Sequence, residues 1–301
     1  MNYMNSMKLI MLFMFIVNAQ WVMASEVFSV TGCGISKKAY MEEAMDVFTK
    51  KKGIISRLSG GGATKGLQLT SNGTVSVGAS CRQRLADIGG NIFEKEKDIK
   101  MIHVAWDAIV VIANPNLKVD NISIDQLRDI YEGKITTWDT LGGANIPIKL
   151  LTRKGKHSGV GYMARLLIFN DPNYEYKVMG NRYRSTGPIE KAAMQFEGAL
   201  ALDGMSSAKK VGVKIMDVNG FKANKDNISS GSYPFFRPLY IAVNTSNKDP
   251  LVQEFVSFLL GPEGQSIISK QGTVNLKEGH RLNALWKVKT DAMGKLWQEN
   301  I

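Results

Sequence analysis

The chain has 301 residues and is basic, with 38 Lys and Arg against 27 Asp and Glu and a net charge of +11. That length supports one large domain or two moderate ones with a substantial core. With two Cys, three scattered His and neither a CxxC nor an HExxH motif, a disulfide-dense scaffold and the common zinc signatures are excluded, and no metal or cofactor is expected.

Lys8 is followed by the apolar run Leu9–Val17 and then Val22-Met23-Ala24, interrupted by Asn18 and Gln20. The run falls short of the roughly 20 apolar residues that span a bilayer, so residues 1–24 read as a secretory signal peptide, with the mature chain starting near Ser25. The remainder stays basic, which suits an anionic ligand and equally a generally solvated basic surface.

Val27–Val30 reads as a strand, Thr31-Gly32-Cys33-Gly34 as a turn, and Met41, Ala44, Met45 and Phe48 fall at helical spacing, with Ser36 as the expected cap and Gly53 as the stop. The same grammar repeats through Ile54-Ile55, the run Gly60-Gly61-Gly62, a short helix through Leu67 and Leu69, and a strand at Val75–Val77. Strands alternating with helices imply a mostly parallel sheet covered on both faces. A long β-rich stretch from Met101 to Ile112 follows, and Ser123-Ile124-Asp125-Gln126 is a capping box opening a helix. Ile146–Leu151 predicts a strand, and His157-Ser158-Gly159 leads into an apolar helix through Phe169. Further strands are expected at Val211–Met216 and Leu239–Val243. Gly220–Ser232 reads as a polar loop, Asp249-Pro250 starts a helix that Gly261 stops, and Leu285–Ile301 reads as a last helix.

Three turns sit after strands and before helices: Thr31–Ser36, Ser59–Thr64, and Arg153 with His157–Val160. Exposed N–H groups and the positive dipole end at a helix N-terminus make a site for an oxyanion, and glycine lets the backbone approach it. Any one such turn is more often ordinary punctuation, but three together point to an anion. Neither GxGxxG nor GxxxxGK[ST] is present, and the GxSxG elbow of hydrolases is absent around Ser158, so an enzyme is not expected. Cys33 and Cys81 are open to two readings, a disulfide or a pair of buried thiols.

The segments VTGCGIS, SGGGATKG, VSVGAS, YEGKITTWDTLGG, RKGKHSGVGYMARLLIF, SYPFFRPLYIAVN and GPEGQSIISKQG, in order over about residues 27–275, resemble the phosphate-binding proteins of ABC importers in the type II periplasmic binding protein superfamily. The resemblance implies a two-lobed α/β fold, each lobe a mixed sheet flanked by helices, with lobe 1 from residues 25–105 plus 245–301 and lobe 2 from 106–244. It implies a periplasmic monomer that captures inorganic phosphate in the cleft, delivers it to the importer's membrane subunits and binds no nucleic acid. Carried over by position, Gly34, Ile35 and Ser36 form the first ligand turn, Ala63 or Thr64 the second, and Ser80 a neighbouring hydroxyl, with Arg153, Ser158, Gly159 and Val160 opposite. It also brings Cys33 and Cys81 together at the mouth of the cleft. Four departures bear on the ligand. Cys81 stands where many relatives carry a proton-accepting Asp, Val160 where they carry Thr, Ala63 where they carry Ser, and Cys33 and Ile35 where Ala, Ser or Thr are frequent. Another tetrahedral oxyanion such as sulfate or molybdate, a non-transporting sensor or adhesion relative, and a phosphatase-like relative are the alternatives.

Overall fold

The computed structural model describes residues 27–87 and 90–291. The expected signal peptide and the chain beyond Asp291 lie outside the described residues. Among those described, no helix is long and apolar enough to cross a membrane.

The chain opens with β1 (Phe28–Gly32), α1 (Gly34–Ser36), a π-helical turn (Lys37–Met41) and α2 (Glu42–Lys52), then β2 (Ser56–Ser59), α3 (Ala63–Ser71) and β3 (Val77–Ser80). The 15-residue β4 (Ile99–Ala113) is followed by β5 (Asn121–Ile122), α4 (Ile124–Tyr131), β6 (Lys149–Arg153) and α5 (Gly159–Phe169). Next come β7 (Asn181–Tyr183), α6 (Thr186–Gln195), β8 (Ala199–Gly204), α7 (Met205–Ala208), β9 (Lys214–Val218) and α8 (Lys225–Ser230). The last elements are β10 (Phe236–Asn244), α9 (Pro250–Leu260), α10 (Pro262–Lys270), β11 (Val274–Asn275) and α11 (Leu282–Asp291).

Local chemistry explains the boundaries. Ser123 accepts from the Gln126 amide while the Gln126 side chain accepts from the Ser123 amide, closing the expected capping box. Asp249 caps α9 with Pro250 in its first turn. Gly53 ends α2 at φ 63, where its amide reaches the Thr49 and Lys50 carbonyls. Ser36, expected as the cap of the first helix, instead lies inside it. The helix starts at Gly34 with Cys33 as its N-cap, and the buried Ser36 hydroxyl donates to the Ser80 carbonyl at 3.3 Å. The expected loop Gly220–Ser232 contains α8, because the Asn224 side chain accepts from the Asn227 amide and nucleates a turn.

The sheet runs β2-β1-β3-β10-β4-β8-β6-β7. β1 pairs in parallel with β2 and β3, β6 in parallel with β7 and β8, and antiparallel β4 and β10 form the seam. Every residue of β3 and β8 is buried, as strands covered on both faces require. β4 serves both halves of the sheet. Through Ala108 it pairs with β10, and from Ile109 it pairs with β8. β10 pairs with β3 at Tyr240–Ala242 and with β4 along most of its length. Phe28, Phe48 and Phe255 pack with ring centroids 5.1 to 5.8 Å apart and knit the two ends of the chain into one core.

Where the seam changes partner, Arg237 and Asp107 form a buried ion pair at 3.3 Å. Asp107 also accepts from the Ser206 amide and hydroxyl at 3.1 and 2.8 Å, and Arg237 donates to the Cys81 carbonyl at 3.1 Å. These extra bonds offset part of the cost of burying the pair, although the buried Arg237 Nε has no hydrogen-bond partner among the described residues.

Candidate oxyanion site

The loop geometry begins with β1 and β3. The Cys33 amide donates to the Ala79 carbonyl at 2.8 Å and the Gly62 amide to the Gly32 carbonyl at 3.0 Å, so the turns leading into α1 and α3 lie side by side. Gly62 has φ 93, a conformation that only glycine adopts without strain, and it turns β2 into α3. From the other half, Ser158 caps α5, its hydroxyl accepting from the Gly161 amide at 3.1 Å.

These N-termini meet around a cavity of about 290 Å³, the volume of several water molecules. Of the residues expected at the site, Gly34, Ala63, Arg153, Ser158, Gly159 and Val160 line it. Ile35, Ser36, Thr64 and Ser80 stand behind the wall. The Ile35 side chain is fully buried and packs where any side chain at Gly204 would collide with it. The Thr64 hydroxyl donates to the His157 carbonyl at 2.9 Å, and the Ser80 hydroxyl donates to the Arg82 carbonyl at 2.7 Å. With that of Ser36 also engaged, three hydroxyl protons expected to face a ligand are given to protein acceptors.

The structure joins Cys33 and Cys81 in a disulfide, with Cα atoms 6.2 Å apart. Of the two readings of Cys33 and Cys81 the structure shows the disulfide, so neither sulfur carries an S–H. Gly159 sits directly against it, and a Cβ there would strike the Cys81 sulfur. The bridge therefore forms part of the surface on which the α5 N-terminus rests.

Arg153, at the end of β6, is 8% exposed. Its Nη2 donates to the Thr186 hydroxyl at 2.5 Å and lies 3.7 Å from Asp203, and its Nε has no hydrogen-bond partner among the described residues. Burial lowers its pKa, against the pull of Asp203 and Glu190. Burial likewise pushes the Asp203 carboxyl well above the usual carboxylate range, opposed by Arg153 and reinforced by the neighbouring Glu190.

Sequence reasoning missed part of the wall. Arg184, Ser185, Thr186 and Gly187 bring a further helix N-terminus, that of α6, to the cavity. The signal was present as Ser-Thr-Gly-Pro, a hydroxyl-rich helix start that reads equally well as a plain turn. Lys37 and Lys38 also line it, paired at 3.5 Å with Glu42 and Glu190. Among the described residues at the wall, Lys37, Lys38, Arg153 and Arg184 are cationic and Glu42 is the acid. Cationic side chains and helix N-termini gathered around one small space are features that favour an anion.

A family model described as a PBP superfamily domain matches residues 29–263. The chain belongs to the PBP superfamily. Curated relatives of this PBP superfamily chain include the phosphate-binding protein PstS of Borreliella burgdorferi, 27% identical over 191 residues, which cover 61% of this chain and 68% of the relative. PstS of Bacillus subtilis is 26% identical over 246 residues, covering 79% and 75% respectively. Among solved structures, a candidate phosphate ABC transporter substrate-binding protein from Clostridium perfringens with bound phosphate aligns with a TM-score of 0.71 and 25% identity, over 83% of this chain and 99% of its own. A phosphate transport receptor from Vibrio cholerae aligns with a TM-score of 0.62 and 22% identity over the same shares, and speaks to the fold. The type II periplasmic binding fold expected from the sequence is the fold of these neighbours.

Proposed function

We propose that this chain is the substrate-binding protein of a phosphate ABC importer, binding one phosphate in the cavity and performing no chemistry on it. The observation that carries the reading is the meeting of the α1, α3 and α5 N-termini with Arg153 at a single cation-lined cavity. The PstS relatives and the phosphate-bound Clostridium perfringens neighbour support it. Gly34, Ile35 and Ala63 offer main-chain N–H groups from one side, and Gly159 and Val160 offer them from the other. The planar fork of Arg153 is suited to two oxygens of a tetrahedral anion. The division into two lobes, hinged at the seam of β4 and β10, supports capture by closure. Export through the signal peptide, a periplasmic location, a monomeric state and docking to the importer's membrane subunits belong to the same reading.

Isothermal titration of residues 25–301 with phosphate, sulfate, arsenate and molybdate tests it. One phosphate per chain is expected. Arg153→Ala should weaken binding by roughly 10- to 10⁴-fold, the worth of one or two charge-assisted hydrogen bonds. Near-native affinity in that variant, with its circular dichroism unchanged, refutes the role of Arg153, and failure of the unaltered protein to bind phosphate refutes the function.

A further inference from the structure

We propose that Arg82, Thr64 and the His157 carbonyl form a latch between the two halves of the fold, and that this latch sets how long a bound anion is held. The proposal rests on the reading that an anion is bound between halves that move apart.

Thr64, at the start of α3, donates its hydroxyl to the His157 carbonyl at 2.9 Å, and Arg82 Nε donates to the same oxygen at 2.9 Å. Arg82 Nη2 in turn donates to the Thr64 hydroxyl at 3.0 Å, closing a three-membered ring of hydrogen bonds. Thr64 and Arg82 belong to the N-terminal half, whereas His157 precedes Ser158, the cap of the cavity-lining α5. The ring therefore joins 93-residue-distant segments across the cleft at the edge of the anion cavity.

Arg82 is built to hold still. It is fully buried, and its Nη1 and Nη2 pair with both oxygens of Glu96 at 2.9 and 2.7 Å. Nη1 also donates to the Gln83 carbonyl at 2.6 Å, so all five guanidinium N–H groups have acceptors. Glu96 is fixed in turn by the Leu85 amide at 2.9 Å. A fork held this rigidly presents Nε–H with little entropy left to lose. Opening must break both bonds to the His157 oxygen in the step that uncovers the anion. The latch thus slows release. It also accounts for Thr64, whose single proton goes to His157 and not to a ligand.

The test is stopped-flow phosphate release from the unaltered protein, Thr64→Val, Thr64→Ser, Arg82→Lys and the combination of Thr64→Val with Arg82→Lys. Valine keeps the shape of threonine and removes the donor, and release should quicken about five- to tenfold, with Thr64→Ser close to the unaltered rate. Because both side chains act on one oxygen, the combined variant should release little faster than the quicker single variant. Multiplying effects, or equal rates for valine and serine, overturn the latch in a protein that binds phosphate. Hydrogen exchange in phosphate-free buffer supplies a readout independent of the ligand. Amides of residues 158–161 should exchange faster in Thr64→Val, and unchanged exchange overturns the latch even if no phosphate binds.

Discussion

The disulfide offers a perturbation whose size follows from the structure. Cys33 and Cys81 are separated by 48 residues, and in the chain-entropy description closing a loop of that length removes about 4 kcal/mol of unfolded-state freedom. Reduction of the native protein keeps both sulfurs in place and isolates the cross-link. The double variant Cys33→Ala with Cys81→Ala removes the sulfurs as well, and alanine avoids burying an unpaired hydroxyl at sites 4% and 0% exposed. For a protein of this size, 4 kcal/mol corresponds to a fall in Tm of about 8–16 °C. The double variant should lose somewhat more, because Gly159 loses the sulfur it rests on. Thermal unfolding followed by circular dichroism, with and without a non-thiol reductant, measures the first effect, and thiol titration of denatured, unreduced protein checks the bond itself. Two free thiols per chain, or a Tm unmoved by verified reduction, would refute the reasoning.

Glu96→Gln strips the buried Arg82 of its counter-charge, and urea unfolding should show a loss of about 3–5 kcal/mol; a loss below 1 kcal/mol would mean that water or another carboxylate compensates. His103, on β4 with its ring edge-on to Trp106, has its pKa lowered to about 4 by burial, against a hydrogen bond with the Ala105 carbonyl. The unfolded chain takes up that proton near pH 6.5 and the folded chain resists until about pH 4, so stability falls as pH drops through this window, by at most about 3 kcal/mol. Urea midpoints at pH 7 and pH 4.5 should diverge less in His103→Gln than in the unaltered protein, and an equal divergence assigns the acid sensitivity elsewhere.

Much of the fold was legible because its signals are local. The capping box at Ser123, the Asp249-Pro250 start and the Gly53 stop need only neighbouring residues, and each appears where the side-chain chemistry places it. The three turns were legible as strand-to-helix connections for the same reason, since a glycine turn between strand and helix announces itself. What sequence could not reveal was where hydroxyls point. Ser36, Thr64 and Ser80 look like ligand donors by type and position, yet their protons go to carbonyls supplied by Ser80, His157 and Arg82, two of them from remote segments. Asp203 escaped notice because β8 reads as a small-residue run, and its importance comes from Arg153 on the adjacent strand. The α6 N-terminus was hidden by the Gly-Pro that follows its first residue, a pair more common in turns.

The partner change within β4 also constrains the order in which the molecule can be completed. The inner edge of β3 and the first ten residues of β4 are paired by β10, and β11 adds to β4 at Ala105 and Trp106. Neither partner exists until the chain has extended past residue 236, so the earliest strands wait with open edges while the β6–β8 unit can already form. Such distant pairing raises contact order and slows folding, and an unfilled edge beside β3 is a template for intermolecular strand addition. A truncated chain ending before β10 would therefore aggregate and would not persist as a smaller folded protein, and the part of the molecule made first is the part finished last.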